Sequence, residues 1–293
     1  MVIPPEKSLN PRYPNPSDAL ACVLAIPVRS LRHVAVRAMG VHFPTMLSNT
    51  KRLIPMLSLM LCASAALMAQ GVDAKNPRKV LFIGDSFTYF QNGIYTHFEK
   101  LAAAANPPLV VTADKSTFGG AYLHRLWDLK EPLKAIDTAV HDVVVLQEDI
   151  PETTVADFRE YAGKFVAEVR KAHARPVLFM AWAYPRLGWI SMAEIAQAHR
   201  DAAKELNVDV APVGLAWQEA SRQRPEMNFY APDREHPSIY GTYLATCVIY
   251  ATIYHRDPTG FAYAPAGITT EEAAFLQRIA WKTVQDFGST ARP

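Results

Sequence analysis

The sequence predicts a three-layer α/β/α domain built on a doubly wound parallel sheet of about five strands. Two observations carry this. From residue 75 onward, short apolar runs alternate with longer amphipathic stretches, the pattern of strand–helix–strand units. The apolar runs are also unbroken rather than alternating, as expected of strands covered on both faces.

The elements follow in order. "KVLFI" (79–83) is a strand and "GIYTHFEKLAAAA" (93–105) a helix; "LVVTA" (109–113) is a strand. "AYLHRLWDLKEPLKAI" (121–136) is helical, with Pro132 as a break or kink. "DVVVLQ" (142–147) is a strand, and 155–174 is an amphipathic helix. "PVLFMAW" (176–182) is a strand, 192–207 a helix, and "VDVAPV" (208–213) a strand. Helical patterns close the chain at 214–222, 238–254 and 270–287. Crossovers between such strands are right-handed. One domain over about 75–293 accounts for all of this.

Residues 1–74 read differently. Lys51-Arg52 precede an apolar run, Leu53 to Ala69, that ends in small residues. This is the pattern of a secretory signal peptide over 46–74, with cleavage after Ala69 or Ala74. A membrane anchor is disfavoured because the run is short and no basic flank follows it. A lipoprotein signal at Cys62 is disfavoured by the bulky Leu61. Met46 is a natural start for the signal. Residues 1–45, proline-rich and without a period, are then an atypical extension, either a misassigned start or a disordered leader. A secreted or periplasmic protein without stable membrane association after cleavage is expected.

The net charge of +2 gives no electrostatic case for nucleic acid. With Cys22 and Cys62 removed, Cys247 has no partner for an internal disulfide. The histidines lack zinc-site spacing, and no phosphate or dinucleotide glycine loop is present, so neither metal nor cofactor is expected.

Ligands of such sheets bind at the carboxyl ends of the strands. Gly84-Asp85-Ser86 stands at one such end, Gln147-Glu148-Asp149 at another, and "AWAYP" at a third. A serine hydroxyl needs a base to become a nucleophile, and the base needs an acid to fix its tautomer. "YAPDREHPSIYG" supplies both: Asp233 and His236 are three residues apart, which across a turn puts their side chains on one side. Pro237 suits the first turn of the following helix. Either piece alone reads as a capping serine or a surface turn; joined, they point to Ser86 as nucleophile, His236 as base and Asp233 as orienter.

"FIGDSFT" and "DREHPS" resemble the first and last blocks of the SGNH (GDSL-type) hydrolases, over about 79–260. "LQED" and "HPSIYGTYLATCVIYATIYHRDPTGF" are similar to a bacterial branch whose substrates are poorly defined. The resemblance implies a flavodoxin-like sheet, the Ser86-His236-Asp233 triad, and metal-free ester hydrolysis through an acyl-enzyme. It also implies an oxyanion hole. The Ser86 N–H is one donor, and "STFGGAYL" offers Gly119 or Gly120 as a second, with Gly120 preferred because a helix begins just after it. The family's third block carries a Gly-x-Asn-Asp asparagine, and this chain has "VLQED" instead. Gln147 is the nearest amide for a third donor.

Trp182, Tyr184, Arg186 and Trp189 follow the fourth strand. Trp182 and Tyr184 are candidates to stack on a sugar or acyl-linked ring; loop packing against the sheet is the alternative. Glu148 and Asp149 read as a solvated strand-end turn, and His97 and His199 as surface or partly buried helix positions. The expected function is a serine esterase, foremost a carbohydrate O-deacetylase acting on a glycan or small-molecule ester. A lipase-like or thioesterase activity is the second reading. A non-catalytic glycan-binding module is the third.

Overall fold

A computed structural model describes residues 76–291. The expected extension, signal peptide and cleavage sites, with Cys22 and Cys62, lie outside the described residues. No helix among the described residues is long and apolar enough to cross a membrane.

Five parallel strands form the sheet in the order β2-β1-β3-β4-β5. They are β1 (Lys79–Gly84), β2 (Thr112–Thr117), β3 (Val143–Glu148), β4 (Arg175–Met180) and β5 (Asp209–Ala211). The helices are α1 (Ser86–Tyr89), α2 (Ile94–Ala103), α3 (Leu123–Leu129), α4 (Glu131–Thr138), α5 (Val155–Lys171), α6 (Met192–Leu206), α7 (Val213–Gln223), α8 (Ile239–Tyr254) and α9 (Thr270–Ala291).

Successive strand side chains point to opposite faces, and this divides the core in two. Val80 and Phe82 of β1 pack with residues of α2, α7, α8 and α9. Leu81 and Ile83 pack on the other face with residues of α3, α5 and α6. The three-layer architecture is therefore as the apolar runs predict. α8 is apolar on nearly every side and is buried almost throughout, as a central covering helix must be.

Two expectations need correction. The second strand is Thr112–Thr117, not 109–113. It is an edge strand that, among the described residues, pairs only with β1, from Lys79↔Thr112 to Gly84↔Thr117. An edge is covered on few sides, so polar residues serve there, while the apolar Val110 is left 85% exposed in the loop. The helix expected over 121–136 is two helices. Lys130 takes a left-handed conformation (φ 67°) between them, and Pro132 falls in the first turn of the second, where its missing N–H costs nothing.

Candidate active site

β1 ends at Gly84 in the middle of the sheet, and the chain turns at once into α1. Asp85 is the N-cap: its Oδ1 accepts the Phe87 N–H at 2.8 Å. Ser86 is the first residue of α1 and is mostly buried. Its hydroxyl lies 2.9 Å from Nε2 of His236, 150 residues away.

His236 comes from a loop stitched into an antiparallel turn. A bridge pairs Tyr230 with Pro237, the Ala231 N–H donates to the His236 carbonyl at 2.7 Å, and the Ser238 N–H donates to the Phe229 carbonyl at 2.8 Å. Asp233 closes the loop from within. Its Oδ1 accepts the N–H groups of Glu235 (3.0 Å) and His236 (2.9 Å), while its Oδ2 meets His236 Nδ1 at 2.8 Å. Asp233 and His236 thus share one side of a tight turn, as their spacing predicts. Pro237 differs from expectation. It precedes the N-cap Ser238 and belongs to the bridge, while α8 starts at Ile239.

The imidazole is boxed by aromatics. Phe90 stacks on it at 4.5 Å between centroids, and Phe87 meets it edge-on at 5.8 Å. With a proton on Nδ1 directed at Asp233, Nε2 is left to accept from Ser86. Burial opposes ionisation of Asp233, but two backbone N–H groups and the imidazole outweigh it and hold this carboxyl below its usual range.

Around this centre several expectations change. Trp182 and Tyr184 do not present faces to a ligand. Trp182 is sandwiched between Phe87 (4.6 Å) and Trp217 (3.7 Å), and its Nε1 donates to the Glu235 carbonyl at 3.0 Å. Tyr184 is buried, with its hydroxyl donating to Asp149 at 3.1 Å. Packing of large rings against the sheet edge wins. Trp189, by contrast, is 55% exposed, with its indole N–H on the Pro151 carbonyl at 2.9 Å.

Glu148 and Asp149 are not a solvated turn: both are buried. Burial pushes the Asp149 carboxyl up to about 8, helped by the charge of nearby Asp85, and pushes Glu148 well above its ordinary value. Asp85 is likewise raised, to about 7, by burial, with the Phe87 N–H and the Gln147 amide pulling the other way. His97 and His199 are also buried. His97 bonds Tyr263 and the Gln91 carbonyl; His199 donates from Nδ1 to the Ile195 carbonyl, and burial lowers its pKa to about 4.

For the expected oxyanion donors, the structure places Gly119 and Gly120 in an exposed turn just past β2, the strand beside β1. Gly120 has φ +62°. Gln147 is completely buried. Its Oε1 accepts from the Asp85 N–H and the Thr88 hydroxyl, and its Nε2 makes no well-formed hydrogen bond and reaches no solvent.

Sequence reasoning missed Phe90, which no spacing rule marks, and Glu235. The Glu235 carboxylate pairs with Arg186, which also pairs with Glu152. Arg186 thereby ties the His236 loop to the segments after β3 and β4.

No family model matches the sequence, and no curated protein matches it either. Solved structures do. A DUF4886 family protein from Bacteroides uniformis superposes with a TM-score of 0.61 at 19% identity, covering 71% of this chain and 95% of that one. A Slackia heliotrinireducens protein provisionally called an SGNH hydrolase gives 0.51 at 24% identity, covering 61% of this chain and 100% of that one. Axe2, an acetylxylan esterase from Geobacillus stearothermophilus, gives 0.52 at 18% identity, with coverages of 66% and 99%. The chain has the fold of the SGNH hydrolases.

Proposed function

We propose that this chain is a serine hydrolase that cleaves carboxylic esters through an acyl-enzyme, with O-acetylated carbohydrate as its substrate class. The carrying observation is the unbroken line of contacts from Ser86 Oγ to His236 Nε2 and from His236 Nδ1 to Asp233 Oδ2, at 2.9 and 2.8 Å. His236 takes the Ser86 proton as Oγ attacks the ester carbonyl. Asp233 stabilises the imidazolium that forms. The backbone N–H groups of Ser86 and Gly120 receive the developing oxyanion. The Ser86 N–H is suited to this because the first N–H groups of a helix lack intrahelical partners. Collapse expels the alcohol, which takes the proton from His236, and water then releases the acid by the same steps in reverse roles.

The carbohydrate reading is supported by the exposed Trp189 ring beside the loops at the strand ends, and by the fold shared with Axe2. The chain, as expected from its signal-like segment, would act outside the cytoplasm. The test is a screen of the purified domain against acetylated glycans and nitrophenyl esters of graded chain length. Acetate release from a glycan is the expected result. A preference for long acyl chains would select a lipase- or thioesterase-like activity. No hydrolysis and no labelling by a serine-reactive phosphonate would leave a binding module.

A further inference from the structure

Two donors from either side of Ser86 converge on one oxygen. The Asp85 N–H, just before the serine, reaches Gln147 Oε1 at 2.8 Å. The Thr88 hydroxyl, two residues after it, reaches the same atom at 2.9 Å. Gln147 stands on β3, the strand next to β1, so its carbonyl crosses from one strand to hold the turn that ends the other. The approach is close. A Cβ on Gly84 would lie 2.4 Å from Oε1 and 2.8 Å from Gln147 Cβ, so no other residue fits there without movement.

The orientation of this amide is fixed by its partners. Turning it over would set an NH2 against an N–H and would lose the Asp85 bond. The acceptor end therefore faces the turn. The donor end is buried beside the Asp85 carboxyl and offers no surface to a substrate oxygen. All three members are buried, so water does not replace a lost contact at low cost.

We infer that Gln147 is a positioning residue for Ser86 rather than an oxyanion donor: its Oε1 clamps the Asp85 N–H and the Thr88 hydroxyl and so sets the serine against His236. This rests on Ser86 being the nucleophile. The clamp's hydrogen bonds go to the residues flanking Ser86 and not to Ser86 Oγ or the imidazole. Its effect is on where Oγ sits, and a displacement of an ångström at a reacting atom costs roughly a hundredfold.

The experiment measures the rate at which a fluorophosphonate labels Ser86, together with kcat and KM on a nitrophenyl ester. In the labelling step the Oγ–P bond forms, fluoride leaves, and the serine proton passes to His236. Three variants are compared. Thr88→Val keeps the shape and removes one donor; Thr88→Ser restores the hydroxyl. Gln147→Met removes both ends of the amide. The clamp predicts labelling and kcat slowed about tenfold in Thr88→Val and about a hundredfold in Gln147→Met, with KM little changed. Thr88→Ser stays within a few-fold of wild type. Wild-type rates in Thr88→Val, with Gln147→Met slowed about a hundredfold, would mean an oxyanion donor and overturn the clamp. Wild-type rates in both Thr88→Val and Gln147→Met, even with a lower Tm, would mean simple filling and overturn it too. A wild-type protein that neither labels nor cleaves esters fails differently. It removes the serine-esterase reading itself, and the clamp with it.

Discussion

The two halves of the proposed catalytic constellation are held in opposite ways. Ser86 sits on a turn inside the sheet's edge, with Asp85, Thr88 and Gln147 all buried around it. Its neighbours bond to one another through short, enclosed contacts. Asp233 and His236 lie on a surface loop, with their side chains 48% and 25% exposed. That loop is held by its own backbone bridge, by Trp182 and by the exposed Arg186. The place of Ser86 is therefore set by the core, while that of His236 is set by a few surface ties. Changes on the serine side should alter chemistry or core stability, and changes on the histidine side should act through loop order and solvent.

The sharpest break is Ser86→Ala. It removes the attacking oxygen and leaves a small side chain that the turn accommodates. Turnover is expected to fall a thousandfold or more, on the order seen for removal of other triad nucleophiles. The Tm should stay within about 2 °C, because little buried surface is lost. Retained activity in purified variant protein would mean another nucleophile.

On the exposed side, Asp233→Asn should cost less. The amide favours the wrong imidazole tautomer, which in a buried triad is worth about 10⁴ in kcat. Here the carboxylate is half in water, and a loss of about a hundredfold is expected. The Asn side chain can still accept the two backbone N–H bonds of the turn, so folding should be retained. Steady-state kinetics of the variant, alongside its circular dichroism, separate loss of the tautomer from loss of the loop.

How far the sequence led depends on burial in the same way. β1, β3 and β4 were legible because central strands covered on both faces must be apolar throughout. β2 was misplaced because an edge strand is under no such demand, and the apolar Leu109-Val110-Val111 run lies just before it. The Asp233–His236 pair was legible from spacing within one turn. The meeting with Ser86 needed the strand order as well, which alternation alone leaves open and only the resemblance to a flavodoxin-like sheet implied. What stayed hidden was the direction of side chains beyond the strand ends. Nothing in "LQED" says that Glu148 and Asp149 fold inward, and nothing in "AWAYP" says that Trp182 will be sandwiched while Trp189 is left in solvent. Those outcomes depend on what packs against each residue from distant segments.

Arg186 tests the surface ties. Its guanidinium joins Glu235, on the histidine loop, to Glu152. It is half exposed, and exposed ion pairs contribute roughly 0–1 kcal/mol. Arg186→Ala should therefore lower kcat only a few-fold and leave the Tm almost unchanged. The deficit should be matched in wild-type protein by raising the salt concentration, since screening weakens the same pairs. A variant as impaired as Asp233→Asn would show that the loop depends on this one side chain, and the contrast between enclosed and exposed halves would fail.

The smallest expected effect on activity, and the one that sharpens the buried half, is Asp149→Asn. Burial, with the charge of Asp85 adding to it, raises this carboxyl to about 8, against an ordinary value of 3.8. A group whose pKa is raised by folding stabilises the native state fully below its unfolded pKa. That contribution is lost as pH rises through the folded value. Wild-type protein should therefore lose stability between about pH 4 and pH 8. Asparagine cannot ionise, and its amide oxygen still accepts the Tyr184 hydroxyl. The variant should match wild type near pH 4 or below and exceed it at pH 9, by about 2–4 °C for each kcal/mol of penalty removed. Asp85 and Glu148 remain, so the slope should shrink without vanishing. Turnover should change less than about twofold, because Asp149 bonds to Tyr184 and not to Ser86, His236 or Asp233. The measurement is a set of thermal melts across pH for the two proteins. Parallel curves would mean that Asp149 is already ionised and solvated at neutral pH, and that the strand-end acids are not part of the enclosed half.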